Sequence, residues 1–353
     1  MQIHQLVPAL HDADATGDCA RALRDYFRAH DYQSDIFAYT IDDAIAKEAL
    51  NFHTSQPEMK ESDVLILHYA LPSGMTQFLK RVQCRKALIY HNITPSYFWL
   101  PYDPNMVHLA SAGRKELETL APFLDRSAGV SEFNRQELEH IGFRNTCVLP
   151  IYVNPERYRR ASPYVLDQMQ DGCFNFLSVG RVAPNKKLED VLRLYFFYKR
   201  LYNPLSRLVI AGKSNVAPTY YAALKSLIGQ LGLMGEDVLF TGHVDWLELV
   251  AYYKSSHVLI SMSEHEGFCV PLVEAMICET PIVAYSCAAI PHILGDAGVQ
   301  FTEKDFISIA GICHRLKDAG FRKMVVDSQR KQLQKYSREN VEEAIREFLA
   351  PLT

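Results

Sequence analysis

The sequence has no Cys-x-x-Cys pair, no short-period repeat, no low-complexity tract and no basic leader segment ahead of its first apolar stretch. Nor does any apolar run approach the roughly 18 residues a membrane-spanning helix needs. Each absence excludes a class. Its eight cysteines, at positions 19, 84, 147, 173, 269, 278, 287 and 313, fall mostly in apolar contexts. That pattern argues against a zinc ribbon or a secreted disulfide scaffold and for reduced core thiols. With no spanning segment and no leader, a cytoplasmic location is expected. Charge of one sign is lacking too: 37 basic and 41 acidic residues give a net charge of -4. That leaves no electrostatic footprint for a nucleic acid partner. What remains is an average soluble composition, 48% apolar and 22% charged over 353 residues, enough for two domains with their own cores.

Apolar strand-like runs alternate with helix-length amphipathic segments. The first set lies at 4–7, 35–39, 64–68, 87–91, 127–130 and 146–149, the second at 174–179, 208–211, 238–241, 258–262, 282–285 and 299–301. Most are continuously apolar, the mark of parallel strands covered on both faces. Between the sets, Pro150 and Pro155 bracket a hinge. The expected architecture is α/β, with two Rossmann-like doubly wound domains at 1–152 and 153–337 facing a cleft. The last helix carries Val341, Ile345, Phe348 and Leu349 on one face, so the segment 338–353 is expected to pack back on the body of the protein.

Two segments carry chemistry. In the first, a strand ending near Met262 runs into a loop with Glu266, and Pro271 opens a helix that holds Glu274. Ligands of open parallel sheets bind beyond the carboxyl ends of strands, where helix starts offer free N–H groups to phosphate. An extended nucleotide sugar lying there would span both carboxylates. In the second, the strand 174–179 leads into Gly180, Arg181 and Lys186 before an amphipathic helix. A guanidinium and an ammonium at such a turn can neutralise a departing diphosphate, the work a divalent ion performs in other transferases. A surface loop with ordinary lysines is the bland alternative.

These residues, with Gly212 and Lys213, with Gly242 and His243, and with the tract 263–276, resemble glycosyltransferase family 4 and its GT-B fold. The first half agrees more loosely, through Tyr90, His91 and Asn92 and through Ser131, Glu132 and Phe133. The resemblance implies a retaining, metal-independent enzyme without cofactor, similar to bacterial surface-polysaccharide mannosyltransferases and hexosyltransferases. It would move a hexose from a nucleotide sugar, GDP-mannose ahead of UDP sugars, to a saccharide or lipid-linked glycan. It gives the diphosphate to Arg181 and Lys186 and the ribose to Glu274. Glu266, Gly267 and Phe268 would face the donor sugar, and His91 would stand at the reaction centre. Gly17, Gly180, Gly212, Gly242, His243, Cys269 and Val270 complete the expected donor site, which contains no metal ligands.

Several positions depart from the family pattern. The usual glycine-rich loop near the amino terminus reads His11 to Asp18 with Gly17 alone, Cys269 and Glu279 stand where glycines are common, and His292 stands where an acidic residue is common. The aromatic stretch Tyr97, Phe98 and Trp99 is read either as a platform for an acceptor sugar or lipid, or as a packed loop. Lys80, Arg81, Arg85 and Lys86 are read first as solvated charges and second as a peripheral contact for anionic lipid at the inner face of a membrane. Glycosidase chemistry is disfavoured, since it needs two carboxyl groups flanking one bond. A nucleotide-sugar 2-epimerase and a non-catalytic nucleotide-binding member of a polysaccharide-assembly complex are the alternatives.

Overall fold

Continuous apolar stretches favour strands buried on both faces, and the computed structural model, which describes residues 1–11 and 14–353, forms them into two wholly parallel sheets. The chain divides into two compact units. One comprises Met1–Ser96, Asn105–Tyr152 and Tyr336–Thr353, the other Tyr97–Pro104 and Val153–Lys335.

The first unit is built on β1 (Ile3–Leu10), β2 (Ile36–Ile41), β3 (Leu50–Asn51), β4 (Val64–Tyr69), β5 (Arg85–Tyr90), β6 (Arg126–Gly129) and β7 (Thr146–Val148), in the order β3-β2-β1-β4-β5-β6-β7. Strand β4 is buried along its whole length. Register sets Leu6 against Phe37 on one side and Leu67 on the other, and all three join one core cluster with Leu88 and Tyr90. Each such side chain contributes on the order of 1.5–3 kcal/mol through burial. The closing helix Arg338–Leu349 buries Val341, Ile345, Phe348 and Leu349 against β6 and β7, and beyond it Arg85 Nη1 donates to the Leu352 carbonyl at 2.6 Å.

The second unit contains β8 (Phe174–Val179), β9 (Ser206–Ala211), β10 (Val238–Gly242), β11 (Val258–Ser261), β12 (Ile282–Tyr285) and β13 (Val299–Phe301), in the order β10-β9-β8-β11-β12-β13. Strand order reverses between β8 and β11 here, and between β1 and β4 in the first unit. At such a reversal the crossover helices leave to opposite faces and open a crevice beyond the strand ends. The segment 180–186 leaves β8 and the segment 262–269 leaves β11, so both donor motifs meet at one reversal point. Among the described residues, no helix is long and apolar enough to cross a membrane.

Two features differ from the expectation. The edge strand β3 has no apolar signature because both its residues are exposed. The segment Tyr97–Pro104, expected within a domain spanning 1–152, clusters with the second unit instead. Its aromatic anchors explain this: the Phe98 ring lies 6.2 Å from that of His265, and the Tyr102 ring meets Tyr220 edge-on at 5.0 Å.

Candidate nucleotide-sugar site

At the end of β8 the backbone itself is specialised. Gly180 has φ +135°, and a Cβ there would come within 3.1 Å of the Lys186 side chain. Gly212, at the end of β9, has φ +147°, and a Cβ would lie 2.1 Å from the Gly180 carbonyl oxygen. Only glycine permits these two strand ends to approach so closely. Gly180 N–H donates to Ala211 O, and Gly212 N–H to Gly242 O, each at 2.9 Å. The glycines therefore set the path of the Gly180–Arg181 backbone, and Lys186 folds over it.

The loops after β8 and β11 are tied together. Glu264 N–H donates to Asn185 O at 2.9 Å, and Asn185 Nδ2 donates to His265 O at 2.9 Å. These bonds bring Lys186 Nζ to 2.6 Å from Glu266 Oε1, with the two side chains only 17% and 10% exposed. Burial lowers the Lys186 pKa, but the Glu266 charge, together with Cys269 and the hydrogen bond, outweighs it and holds the ammonium above the ordinary lysine value. Arg181 is exposed and has no ion pair among the described residues. Gly180, Arg181, Lys186, Ser263, Cys269 and Pro271 are among the residues lining one pocket at the reversal point. It presents two cations, one held by Glu266 and one open to solvent.

Cys269 caps the helix Val270–Ile277 in the left-handed conformation, φ 70°, and Glu279 lies beyond the same helix at φ 57°. Both backbones occupy the region where glycine is cheapest, which is why glycines are common there. The Cys269 thiol is buried and its pKa raised, first by burial and then by the Glu266 charge, so it is a packed thiol. Glu279 is exposed and pairs with Arg330 at 2.8 Å. His292 is exposed on the helix Ile290–Leu294, and His243 is exposed after β10.

Glu274 sits deeper than its expected role suggests. It is 6% exposed and is not among the pocket-lining residues. Tyr158 Oη donates to its Oε1 at 2.8 Å and Tyr253 Oη to its Oε2 at 2.6 Å. Burial, then the Glu274 charge, pushes both phenols far up, so they stay protonated donors. A carboxylate oxygen has a second lone pair, so these bonds do not exhaust the group as an acceptor. The tyrosines were not singled out in the sequence.

Three expected positions need correction. Gly17 is not a loop glycine: it lies in the first turn of the helix Ala15–Ala29, and its N–H donates to the Asp14 side chain at 3.2 Å. That amide is occupied and not offered to phosphate; Asp12 and Ala13, in the same stretch, lie outside the described residues. Phe98 and Trp99 are only 8% and 4% exposed, committed to packing, whereas Tyr97 is 60% exposed. The aromatic platform reduces to Tyr97.

His91 follows β5 in the first unit and is partly buried. Its turn is fixed by a polar network: Asn92 Nδ2 donates to Asn134 Oδ1 at 2.8 Å, and Arg114 pairs with Glu137 at 2.6 Å while donating to Ile93 O at 2.6 Å. Burial holds the His91 pKa down at about 3, so the imidazole is neutral. Sequence reading found no metal-ligand set, but the fold brings Cys19, His68 and His91 together with their ligand atoms within 4.8 Å of one another. Two of them already bond each other: His68 Nδ1 and His91 Nε2 are 2.9 Å apart. Cys19 is buried, and burial pushes its thiol up to about 12.

Residues 170–340 match the model of the family described as glycosyl transferases group 1. The match covers all six strands of the second unit. An uncharacterized glycosyltransferase of Methanocaldococcus jannaschii is 33% identical over 177 residues, 49% of this chain and 44% of that protein. O-antigen chain mannosyltransferase B of Escherichia coli is 26% identical over 168 residues, 46% of this chain and 42% of that protein. The chain thus spans less than half the length of these two relatives. HepE of Anabaena, solved with UDP and glucose, superposes with a TM-score of 0.74 at 16% identity over 99% of both chains. At that identity the likeness shows the fold alone, and the fold is GT-B. The pocket, the Lys186–Glu266 pair and both glycines fall within the matched residues, beyond the ends of β8, β9 and β11.

Proposed function

We propose that the chain is a retaining, metal-independent glycosyltransferase that binds a nucleoside diphosphate sugar beyond β8 and β11 and passes its hexose to a saccharide or lipid-linked glycan, in surface polysaccharide biosynthesis. The observation that carries this reading is the convergence of Arg181 and the Glu266-bound Lys186 on a pocket at the reversal point of a group 1 domain. As the bond to the sugar breaks, charge accumulates on the diphosphate, and two preset cations stabilise it without reorganising. That charge is what a divalent ion supplies elsewhere, which supports the metal-free reading. Glu266 holds Lys186 on one oxygen and faces the sugar with the other, and Glu274 is assigned to the ribose. His91, held neutral, is assigned to the sugar hydroxyls.

Mannose from GDP-mannose is the favoured donor because the Escherichia coli relative is named a mannosyltransferase; a UDP sugar comes next because HepE was solved with UDP and glucose. The test is calorimetric titration with GDP, UDP, ADP and dTDP, each with and without EDTA, followed by donor consumption in the presence of glycan acceptors. One nucleotide should bind selectively and indifferently to chelator. If none binds, the reading fails.

A further inference from the structure

The three strands β1, β4 and β5 are neighbours, and a chain of polar side chains crosses them from Gln5 on β1 through His68 on β4 to His91 just beyond β5. Gln5 on β1 is fully buried. Its Nε2 donates to the Ala20 carbonyl at 3.0 Å. A backbone carbonyl can only accept, so that contact fixes which end of the amide is nitrogen. Gln5 Oε1 is therefore the atom that faces His68 Nε2 at 2.8 Å, and it must receive a proton from it. His68 is fully buried and, among the described residues, bonds Gln5 and His91 and no carboxylate; burial, then His91, holds its pKa well below the usual histidine value. A neutral imidazole with its proton on Nε2 has a bare Nδ1. That Nδ1 lies 2.9 Å from His91 Nε2, so the proton between the two rings belongs to His91. The polarity of the whole chain is thus set at one end by the Ala20 carbonyl and read out at the other as a tautomer.

We propose that Gln5 and His68 are positioning residues that lock His91 as the Nε2-protonated tautomer, leaving its Nδ1 as a hydrogen-bond acceptor for a hydroxyl group of the sugar. An acceptor there discriminates: it takes a hydroxyl proton and rejects a backbone or side-chain carbonyl in the same place. The opposite tautomer would present a donor. The chain also accounts for two fully buried polar side chains, Gln5 and His68, since their mutual bond together with Ala20 and His91 supplies their partners. The sugar hydroxyl as ligand rests on the glycosyltransferase reading; the tautomer does not.

The experiment uses the full chain labelled with 15N-histidine. Nitrogen–proton correlation spectra should show His91 protonated on Nε2 and bare on Nδ1, with a through-hydrogen-bond coupling from its Nε2 to His68 Nδ1. A proton on His91 Nδ1, or one residing on His68 Nδ1, overturns the proposal, and neither result depends on activity. Two variants then test the consequence. His68→Leu removes the acceptor and should lower turnover about tenfold to hundredfold at unchanged nucleotide affinity, the cost of one misdirected hydrogen bond at the reacting sugar. His68→Asn can set its Oδ1 where the imidazole Nδ1 stood and should restore turnover to within about threefold of the parent. Wild-type turnover in a His68→Leu protein of unchanged melting temperature also overturns it. If the parent neither binds nucleotide nor consumes donor, the glycosyltransferase reading fails, and the spectra still decide the relay.

Discussion

The pair Lys186–Glu266 offers the most direct trial of how the pocket is held, through the substitution Lys186→Met, which keeps the length of the side chain and removes its charge. At 2.6 Å, with side-chain exposures of 17% and 10%, the pair is close to buried. Breaking a fully buried pair by removing one partner costs about 3–5 kcal/mol, because the other charge is left without compensation. Residual solvent at this pair reduces the expectation to roughly 2–3 kcal/mol. For a unit of this size that corresponds to a fall in Tm of about 5–10 °C. The double variant Lys186→Met/Glu266→Gln removes both charges and should return to within about 1 kcal/mol of the parent, since the penalty lies in the orphaned carboxylate. Thermal and denaturant unfolding of the parent, both single variants and the double variant complete the cycle. The sign of the pH dependence is also set. The Lys186 pKa is raised, so its contribution is full below the ordinary lysine value of about 10.4 and is lost as pH rises through the higher folded value. The variant should lack that alkaline loss. A Lys186→Met protein that melts with the parent, or a double variant as unstable as the sum of the singles, would refute the reasoning.

Gly212→Ala should cost about 3 kcal/mol or more, from a Cβ 2.1 Å from the Gly180 carbonyl and a strained φ, whereas Gly242→Ala, with φ +69° and no atom within 4 Å of the added Cβ, should cost only about 1 kcal/mol. Equal melting temperatures for the two would mean that the close approach of the strand ends is not what requires glycine. Tyr253→Phe leaves Glu274 Oε2 without its 2.6 Å donor and should destabilise by about 1–3 kcal/mol while weakening nucleotide binding less than Glu274→Ala does, since the carboxylate survives. Calorimetry that ranked the two the other way would remove Glu274 from the ribose.

Much of this fold was readable because parallel strands buried on both faces leave continuous apolar runs, and Val64–Leu67 of β4 and the whole of β12 are such runs. Strand β3, exposed at both positions, leaves no such trace. The donor motifs were readable through local order: glycine, cation and helix start follow one another within a few residues of β8. Contacts made across the sheet were not. Lys186 and Glu266 are 80 positions apart, and Tyr158 and Glu274 are 116 apart. Nothing local marks Tyr158 as the residue that will cap a carboxylate four strands later in the chain. Gln5, His68 and His91 become neighbours only because β4 lies between β1 and β5, an order that the reversal point dictates and that no window of sequence contains. Conversely, Gly17 resembled a phosphate-binding glycine only until the Asp14 side chain was seen to occupy its amide.

That occupied amide bears on why a duplicated architecture carries one anion site. Both sheets reverse strand order and both have a helix following the strand at the reversal, so topology alone would allow a phosphate in either. In the first unit the helix start after β1 already holds a carboxylate of the chain itself, Asp14 on the Gly17 N–H, and the side chains gathered beside it are a neutral thiol and two neutral imidazoles. A diphosphate brought there would meet the Asp14 and Asp18 carboxylates, and the Arg21 guanidinium beside Gly17 is already paired with Asp18 at 2.6 Å. In the second unit the corresponding place holds Arg181 and Lys186, with Glu266 paired to Lys186 and Glu264 to Lys304. On the proposed function, charged and neutral ligand groups belong to different units: cations and glycines for a diphosphate, a neutral acceptor for hydroxyls. Exchanging Asp14 for Asn would test the first half of that assignment, because an uncharged cap should leave nucleotide affinity unchanged if the first unit has no part in holding the diphosphate.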